Sequence, residues 1–140
     1  RESAGTSPGT GPVVVVVDGW KVGLSICYDL RFPELYRALV EQGAEVLVVP
    51  AAFTKATGTD HWHPLLRARA IENQCWLLAA AQWGDHPGNR QTYGHSLAID
   101  PWGTVVTELP EGDGVQCADL DRQRLNDVRK RLPALQHRRL

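Results

Sequence analysis

The sequence predicts an α/β fold built on a mixed sheet, and three observations carry that reading. Runs at 13–17, 22–26, 46–49 and 76–81 are short, apolar and rich in β-branched or bulky residues, which is strand length and strand composition. Between them, segments opening at Pro33 and at Asp60 repeat apolar residues at helical spacing. After residue 95 the chain turns to three closely spaced short strands, a meander rather than another βα unit.

In order, residues 3–12 are a breaker-rich loop of Ser, Gly, Thr and Pro. Val13–Val17 is a run of five valines that reads as a strand buried on both faces. Asp18-Gly19 predicts a hairpin turn into the strand Val22–Ile26. Pro33 fits the first position of a helix, with Glu34 at its positive end. Leu35, Ala38 and Leu39 give that helix an apolar stripe and Gly43 ends it. Val46–Val49 is the next strand, and residues 51–60 read as a loop. A helix is predicted over Asp60–Asn73, with Pro64 tolerated near the first turn. The strand Trp76–Ala81 leads to a polar loop over 84–92. The strands Ser96–Asp100, Thr104–Glu108 and Val115–Ala118 follow, the first two joined through Pro101-Trp102-Gly103. A last helix runs over Arg122–Leu132 and stops at Pro133.

With 140 residues, 43% hydrophobic and 22% charged, the chain has the composition of a folded domain and not of a disordered one. No apolar run approaches the roughly 20 residues of a membrane helix, and no secretory leader opens the sequence. Residues 121–140 hold seven basic and two acidic side chains, against eight basic and 14 acidic in 1–120. Leu125, Val128 and Leu132 interleave with that basic run at helical spacing, so it reads as the wet face of an amphipathic helix. A nucleic-acid partner is therefore not expected. The three cysteines match no disulfide framework or zinc knuckle, which points to a reducing cytoplasm. The sequence contains no Met and begins Arg-Glu-Ser, so an upstream segment is expected.

Cys27 is the residue whose place points to chemistry. It follows a buried strand and precedes a helix, where α/β sheets gather their reactive side chains. A turn of that kind holds a nucleophile out of the sheet and aims the next backbone N–H, that of Tyr28, at a developing oxyanion. Asp29, Arg31 and Glu34 follow within seven residues. A buried structural thiol is the alternative that these residues alone leave open. Cys75 and Cys117 lie in or beside apolar strands and read as packing. His61 and His63 do not share a helix face and with His95 match no strong ligand pattern, so a metal site is not expected. His95 reads as a hydrogen-bonded core histidine, and core and interface burial accounts for most of the five tryptophans.

From Gly23-Leu24-Ser25-Ile26-Cys27-Tyr28-Asp29-Leu30-Arg31-Phe32-Pro33-Glu34-Leu35 the chain resembles the nitrilase (carbon–nitrogen hydrolase) superfamily. The resemblance runs on through Ala52-Phe53-Thr54, Thr57-Gly58, His61-Trp62 and Leu66-Arg67-Ala68-Arg69-Ala70-Ile71-Glu72-Asn73-Gln74. It continues in Ala79-Ala80-Ala81-Gln82, Tyr93-Gly94-His95-Ser96, Asp100-Pro101-Trp102-Gly103-Thr104-Val105, Asp119-Leu120-Asp121 and His137-Arg138-Arg139. Cys-Tyr-Asp after the strand is similar to the amidase branches, and the run Arg69-Ala70-Ile71-Glu72-Asn73-Gln74-Cys75 with Ala79-Ala80-Ala81-Gln82 resembles most the deaminated glutathione amidases, with the omega-amidases next.

That resemblance implies an α-β-β-α sandwich, of which residues 1–140 would be the carboxyl-terminal part of a single domain. It implies a homodimer or larger homo-oligomer, and neither metal nor cofactor. It implies a Cys nucleophile at Cys27 and a supporting carboxylate at Glu2. Its general base Glu and its oxyanion-binding Lys match no residue of this chain, Lys21 and Lys55 included. Arg31 and Thr57 would clamp a substrate carboxylate and Phe53 would wall the pocket. The alternative for Arg31 is an ion pair with Asp29 or Glu34. The implied reaction is hydrolysis of a small carboxylate-bearing amide through a thioester, with release of ammonia. An omega-amidase or N-carbamoyl amide hydrolase is the neighbouring reading, and a non-catalytic interaction subunit or inactive remnant is the reading from another class.

Overall fold

The computed structural model describes residues 4–139. Its centre is a six-stranded mixed sheet in the order β1-β2-β3-β4-β7-β8. The strands are β1 (Val13–Val17), β2 (Trp20–Leu24), β3 (Val46–Val48), β4 (Trp76–Ala79), β7 (Ser96–Ile99) and β8 (Val105–Leu109). β2, β3 and β4 run parallel, and antiparallel strands flank them on both sides. The expected mixed α/β architecture is therefore present. The hairpin β5 (Trp83–His86) and β6 (Arg90–Tyr93) forms a separate two-stranded sheet.

Helices α1 (Pro33–Glu41) and α2 (Lys55–Asn73) serve as crossovers between the parallel strands and cover one face. The row Val14–Gly23–Leu47–Leu77–Ile99 crosses the sheet beneath them. Leu47, Leu77 and Ile99 from it join Leu30, Tyr36, Leu39, Trp62 and Leu66 in the main core. Gly23 makes the close approach possible, because a Cβ there would lie 3.1 Å from the Leu39 side chain.

The opposite face is covered only in part. Helix α3 (Arg122–Arg131) lays Leu125 on Val46 and Trp76, and the short helix α4 (Ala134–His137) follows. Asp121 caps α3 by accepting from the Gln123 N–H at 2.8 Å. The basic residues of α3 are more than a wet face. Arg122 bonds Glu45 and stacks over Trp20 at 4.0 Å. Arg124 forks onto one Asp100 oxygen at 2.8 and 3.0 Å. Burial pushes the Asp100 carboxyl up, but the Thr104 and Trp102 N–H groups and Arg124 outweigh it and hold the group below its usual range. Arg129 donates to the Gln74 and Ala44 carbonyls.

Several sequence expectations need correction. The valines of β1 are not buried on both faces: β1 is an edge strand, and Val16 is 70% exposed. β2 opens earlier than expected and ends at Leu24, leaving Ile26 exposed. Helix α2 starts at Lys55, so Pro64 lies in its interior and not near its first turn. Its start is rich in Thr and Gly, which are weak helix formers, and so carries little local signal for a helix. A Cβ at Gly58 would sit 2.4 Å from the Tyr93 Cβ, so only glycine lets this turn press on β6.

Residues 84–92 are mostly hairpin rather than loop. Their side chains lack alternation, and backbone pairing from Trp83↔Tyr93 to His86↔Arg90 carries the structure. Residues 115–118 form no strand. The Gln116 side chain bonds the Glu108 carbonyl and Thr107 in place of a ladder, and Val115 stands in solvent.

The three cysteines separate cleanly. Cys75 is fully buried, and its thiol is pushed up to about 11 by burial. Cys117 is exposed, contrary to the packing role expected from sequence. Cys75→Ala is therefore expected to cost about 1–2 kcal/mol and Cys117→Ala less than about 0.5 kcal/mol. Denaturant titration of the two variants checks this, and equal losses would contradict the burial difference.

Candidate active site

The site lies at the carboxyl edge of the parallel strands. Beyond β2 the chain continues the pairing, with Ser25 N–H donating to Val48 O at 3.2 Å and Cys27 N–H to Pro50 O at 2.9 Å. Cys27 then opens a 3-10 turn, Cys27–Arg31, with φ of +46°. That left-handed conformation is costly for a residue with a Cβ and persists only where the surroundings impose it.

The surroundings here are specific. Asp29 accepts from the Ile26 N–H at 2.8 Å and closes the turn. The Ser25 hydroxyl meets the Tyr36 hydroxyl at 2.8 Å and donates to Val48 O at 2.8 Å. Burial pushes the Tyr36 phenol up to about 12, so it stays a neutral hydrogen-bonding partner. From α2, the buried Arg69 donates from Nε and Nη2 to the Leu30 carbonyl at 3.2 and 2.8 Å. Its guanidinium also lies over the Tyr36 ring. The turn is thus tied to strand, helix and core at once.

Cys27 is half-buried and packs against the main core. Among the described residues, no side chain is hydrogen-bonded to its sulfur. The first bond of the turn is Asp29 N–H to Ile26 O. The Tyr28 N–H precedes it and has no acceptor among the described residues. The Tyr28 ring is exposed and meets Phe32 edge-on at 5.5 Å.

At the far end of the same turn, the Arg31 guanidinium lies 5.3 Å from the centre of the Phe53 ring and 5.8 Å from that of Tyr28. Phe53 is buried against Trp62. Arg31 pairs with neither Asp29 nor Glu34: Asp29 is committed to the Ile26 N–H, and Glu34 is exposed in the first turn of α1. Its polar partner among the described residues is His61 Nδ1, at 3.3 Å. Thr57 lies at the start of α2, its hydroxyl 2.9 Å from that of Thr54. The loop that carries Phe53 is held by the Tyr93 N–H donating to Phe53 O at 2.9 Å.

The structure therefore brings Cys27, Tyr28, Arg31 and Phe53 to one edge of the sheet, with Thr57 on the segment that follows Phe53. Glu2 lies outside the described residues. His61 and His63 diverge: His61 meets Arg31, while His63 bonds Glu108 at 2.8 Å. His95 is half-buried and donates from Nδ1 to Tyr93 O at 2.7 Å. Sequence reasoning left Ser25, Arg69 and His61 without roles. The signal for Arg69 was present: a cation between Leu66 and Ala70 on the buried face of a helix needs a buried acceptor.

A site of this kind, a cysteine on a strained turn beside an arginine, is consistent with thiol hydrolase chemistry on a mixed α/β sheet. The family model described as carbon-nitrogen hydrolase matches residues 1–130, and the chain belongs to that family. A bovine protein named deaminated glutathione amidase is 53% identical over 140 residues, covering 99% of this chain and 43% of the relative. The chain thus spans less than half the length of that relative. The crystal structure of the C. elegans NitFhit protein superposes with a TM-score of 0.92 at 47% identity, covering 96% of this chain and 33% of the other. An amidase from Nesterenkonia sp. AN1, solved with acrylamide added to its active-site cysteine, superposes with a TM-score of 0.77 at 34% identity. That match covers 96% of this chain and 53% of the amidase. No helix among the described residues is long and apolar enough to cross a membrane.

Proposed function

We propose that the full-length protein hydrolyses the carbon–nitrogen bond of a small carboxylate-bearing amide, with deaminated glutathione as the first substrate to test. The observation that carries this reading is Cys27 at positive φ on the carboxyl edge of the sheet, one turn before an arginine that pairs with no carboxylate among the described residues. The name of the bovine relative supports the substrate, and the acrylamide-modified cysteine of the Nesterenkonia amidase supports thiol chemistry.

In this mechanism the Cys27 sulfur attacks the amide carbon. A free thiol is only a few per cent thiolate near pH 7, so a base must take its proton, and the family resemblance assigns that to a Glu that no residue of this chain matches. The tetrahedral oxyanion accepts from the Tyr28 N–H. The C–N bond breaks as the nitrogen takes up the proton that the thiol gave to the base, ammonia leaves, and a thioester remains on Cys27. Water then attacks the thioester, giving the carboxylic acid and the free thiol. Arg31 holds the substrate's distal carboxylate with its planar fork, assisted by Thr57, and Phe53 walls the pocket. A thiol nucleophile favours a reducing surrounding, which keeps the cytoplasm as the expected compartment. The homodimer or larger homo-oligomer expected from the resemblance is tested by sedimentation velocity.

The reading is tested by Arg31→Lys in the full-length protein, assayed by ammonia release from deaminated glutathione, 2-oxoglutaramate and a neutral amide. Lys keeps the charge and loses the fork, so kcat/KM for the two carboxylate-bearing amides is expected to fall about 10–100-fold more than for the neutral one. Equal losses on all three would mean that Arg31 serves the turn and not the substrate.

A further inference from the structure

We propose that His61 is a positioning residue for Arg31, holding its guanidinium in place through a neutral acceptor so that its charge stays available to a substrate carboxylate. The proposal rests on the reading of Arg31 given above. An arginine N–H only donates, so at 3.3 Å His61 Nδ1 must present a lone pair to Arg31 Nη1. That fixes the imidazole as the neutral tautomer with its proton on Nε2.

The neutrality of the acceptor is the point. Arginine on a protein surface is commonly held by a carboxylate, which orients it and also cancels its charge. Two carboxylates lie close in sequence to Arg31, and neither pairs with it among the described residues. Asp29 is occupied by the Ile26 N–H. The guanidinium is instead flanked by the Phe53 and Tyr28 rings and met at its edge by His61. Aromatic faces and a neutral nitrogen restrict where the guanidinium sits without supplying a formal negative charge.

The arrangement also links two segments. Arg31 ends the turn that carries Cys27, whereas His61 lies on α2, one helical turn beyond Thr57. The Arg31–His61 bond therefore sets the carboxylate clamp relative to the nucleophile. A substrate with its carboxylate at the wrong distance from the amide would lose the clamp or the attack geometry.

The test is a panel in the full-length protein: His61→Ala, His61→Asn and His61→Asp, with Arg31→Ala alongside. KM and kcat are read on deaminated glutathione and on a neutral amide. His61→Ala is expected to raise KM for deaminated glutathione about tenfold, with kcat and the neutral amide little changed. Asn places an uncharged acceptor near the position of Nδ1 and is expected to recover most of that loss. Asp places a charged acceptor there, so it keeps the orientation but cancels the charge, and KM is expected to stay high.

A panel in which Asp rescues as well as Asn would overturn the role of neutrality. One in which Asn is no better than Ala, or in which both substrates suffer alike, would overturn positioning. Arg31→Ala separates this failure from that of the parent reading. If it spares deaminated glutathione, the carboxylate clamp itself falls and the proposal with it. If it selectively harms that substrate while His61→Ala does not, only the role of His61 is wrong.

Discussion

Replacing Cys27 with Ala in the full-length protein is expected to remove amide turnover and leave the fold in place. The side chain is half-buried, and no side chain among the described residues hydrogen-bonds its sulfur, so truncation should cost the structure little. It also leaves the turn intact, because the bonds that hold it come from backbone, Asp29 and Arg69. Losing the atom that forms the covalent intermediate should lower kcat by several orders of magnitude, on the order of 10⁴-fold or more. Circular dichroism with ammonia release checks both halves. Wild-type-like release from the Ala variant would remove Cys27 from the mechanism.

A chain of residues 1–140 by itself is expected to hydrolyse no amide and to associate or aggregate. The base Glu and the oxyanion-binding Lys implied by the family resemblance match no residue in it. Losing one oxyanion donor alone costs about 2.7–4 kcal/mol of transition-state stabilisation. The sheet shows the second reason. α1 and α2 cover one face, but α3 covers only part of the other, where Val13, Val15 and Leu24 remain exposed. An open apolar face of this kind invites association. Co-expression with the amino-terminal portion of the bovine relative is expected to restore both solubility and turnover. Robust turnover by the purified chain alone, abolished by Cys27→Ala, would mean that local groups replace the missing base and Lys.

The parts of the fold that were legible in sequence are those where local pattern and tertiary role agree. Val13–Val17 and Asp18-Gly19 encode a strand and its turn without help from elsewhere, and Pro33 with Gly43 bracket α1. What sequence hid was set by distant partners. The first turn of α2 can pack against Tyr93 only because residue 58 is glycine, and the hairpin at 83–93 is held by backbone pairing that leaves no apolar signature. The exposure of β1 is not written in its five valines, which state an affinity for apolar surroundings and not whether a neighbour exists to provide them. The same division holds at the site. Cys27 is visible from its place between strand and helix, and its neighbours Tyr28 and Arg31 follow from it. His61 and Arg69 are 34 and 42 positions away in the sequence, and only the crossover of α2 over the sheet brings them to the turn.

Acylation of Cys27 by an amide substrate is read directly by trapping the intermediate. The full-length protein is mixed with deaminated glutathione, quenched in acid within the first turnovers and digested for mass spectrometry. Cys27 is expected to carry the acyl group of the substrate less ammonia, with Cys75 and Cys117 unmodified. Ammonia release at an undiminished rate with the acyl group on another residue, or with Cys27 free throughout, would contradict it.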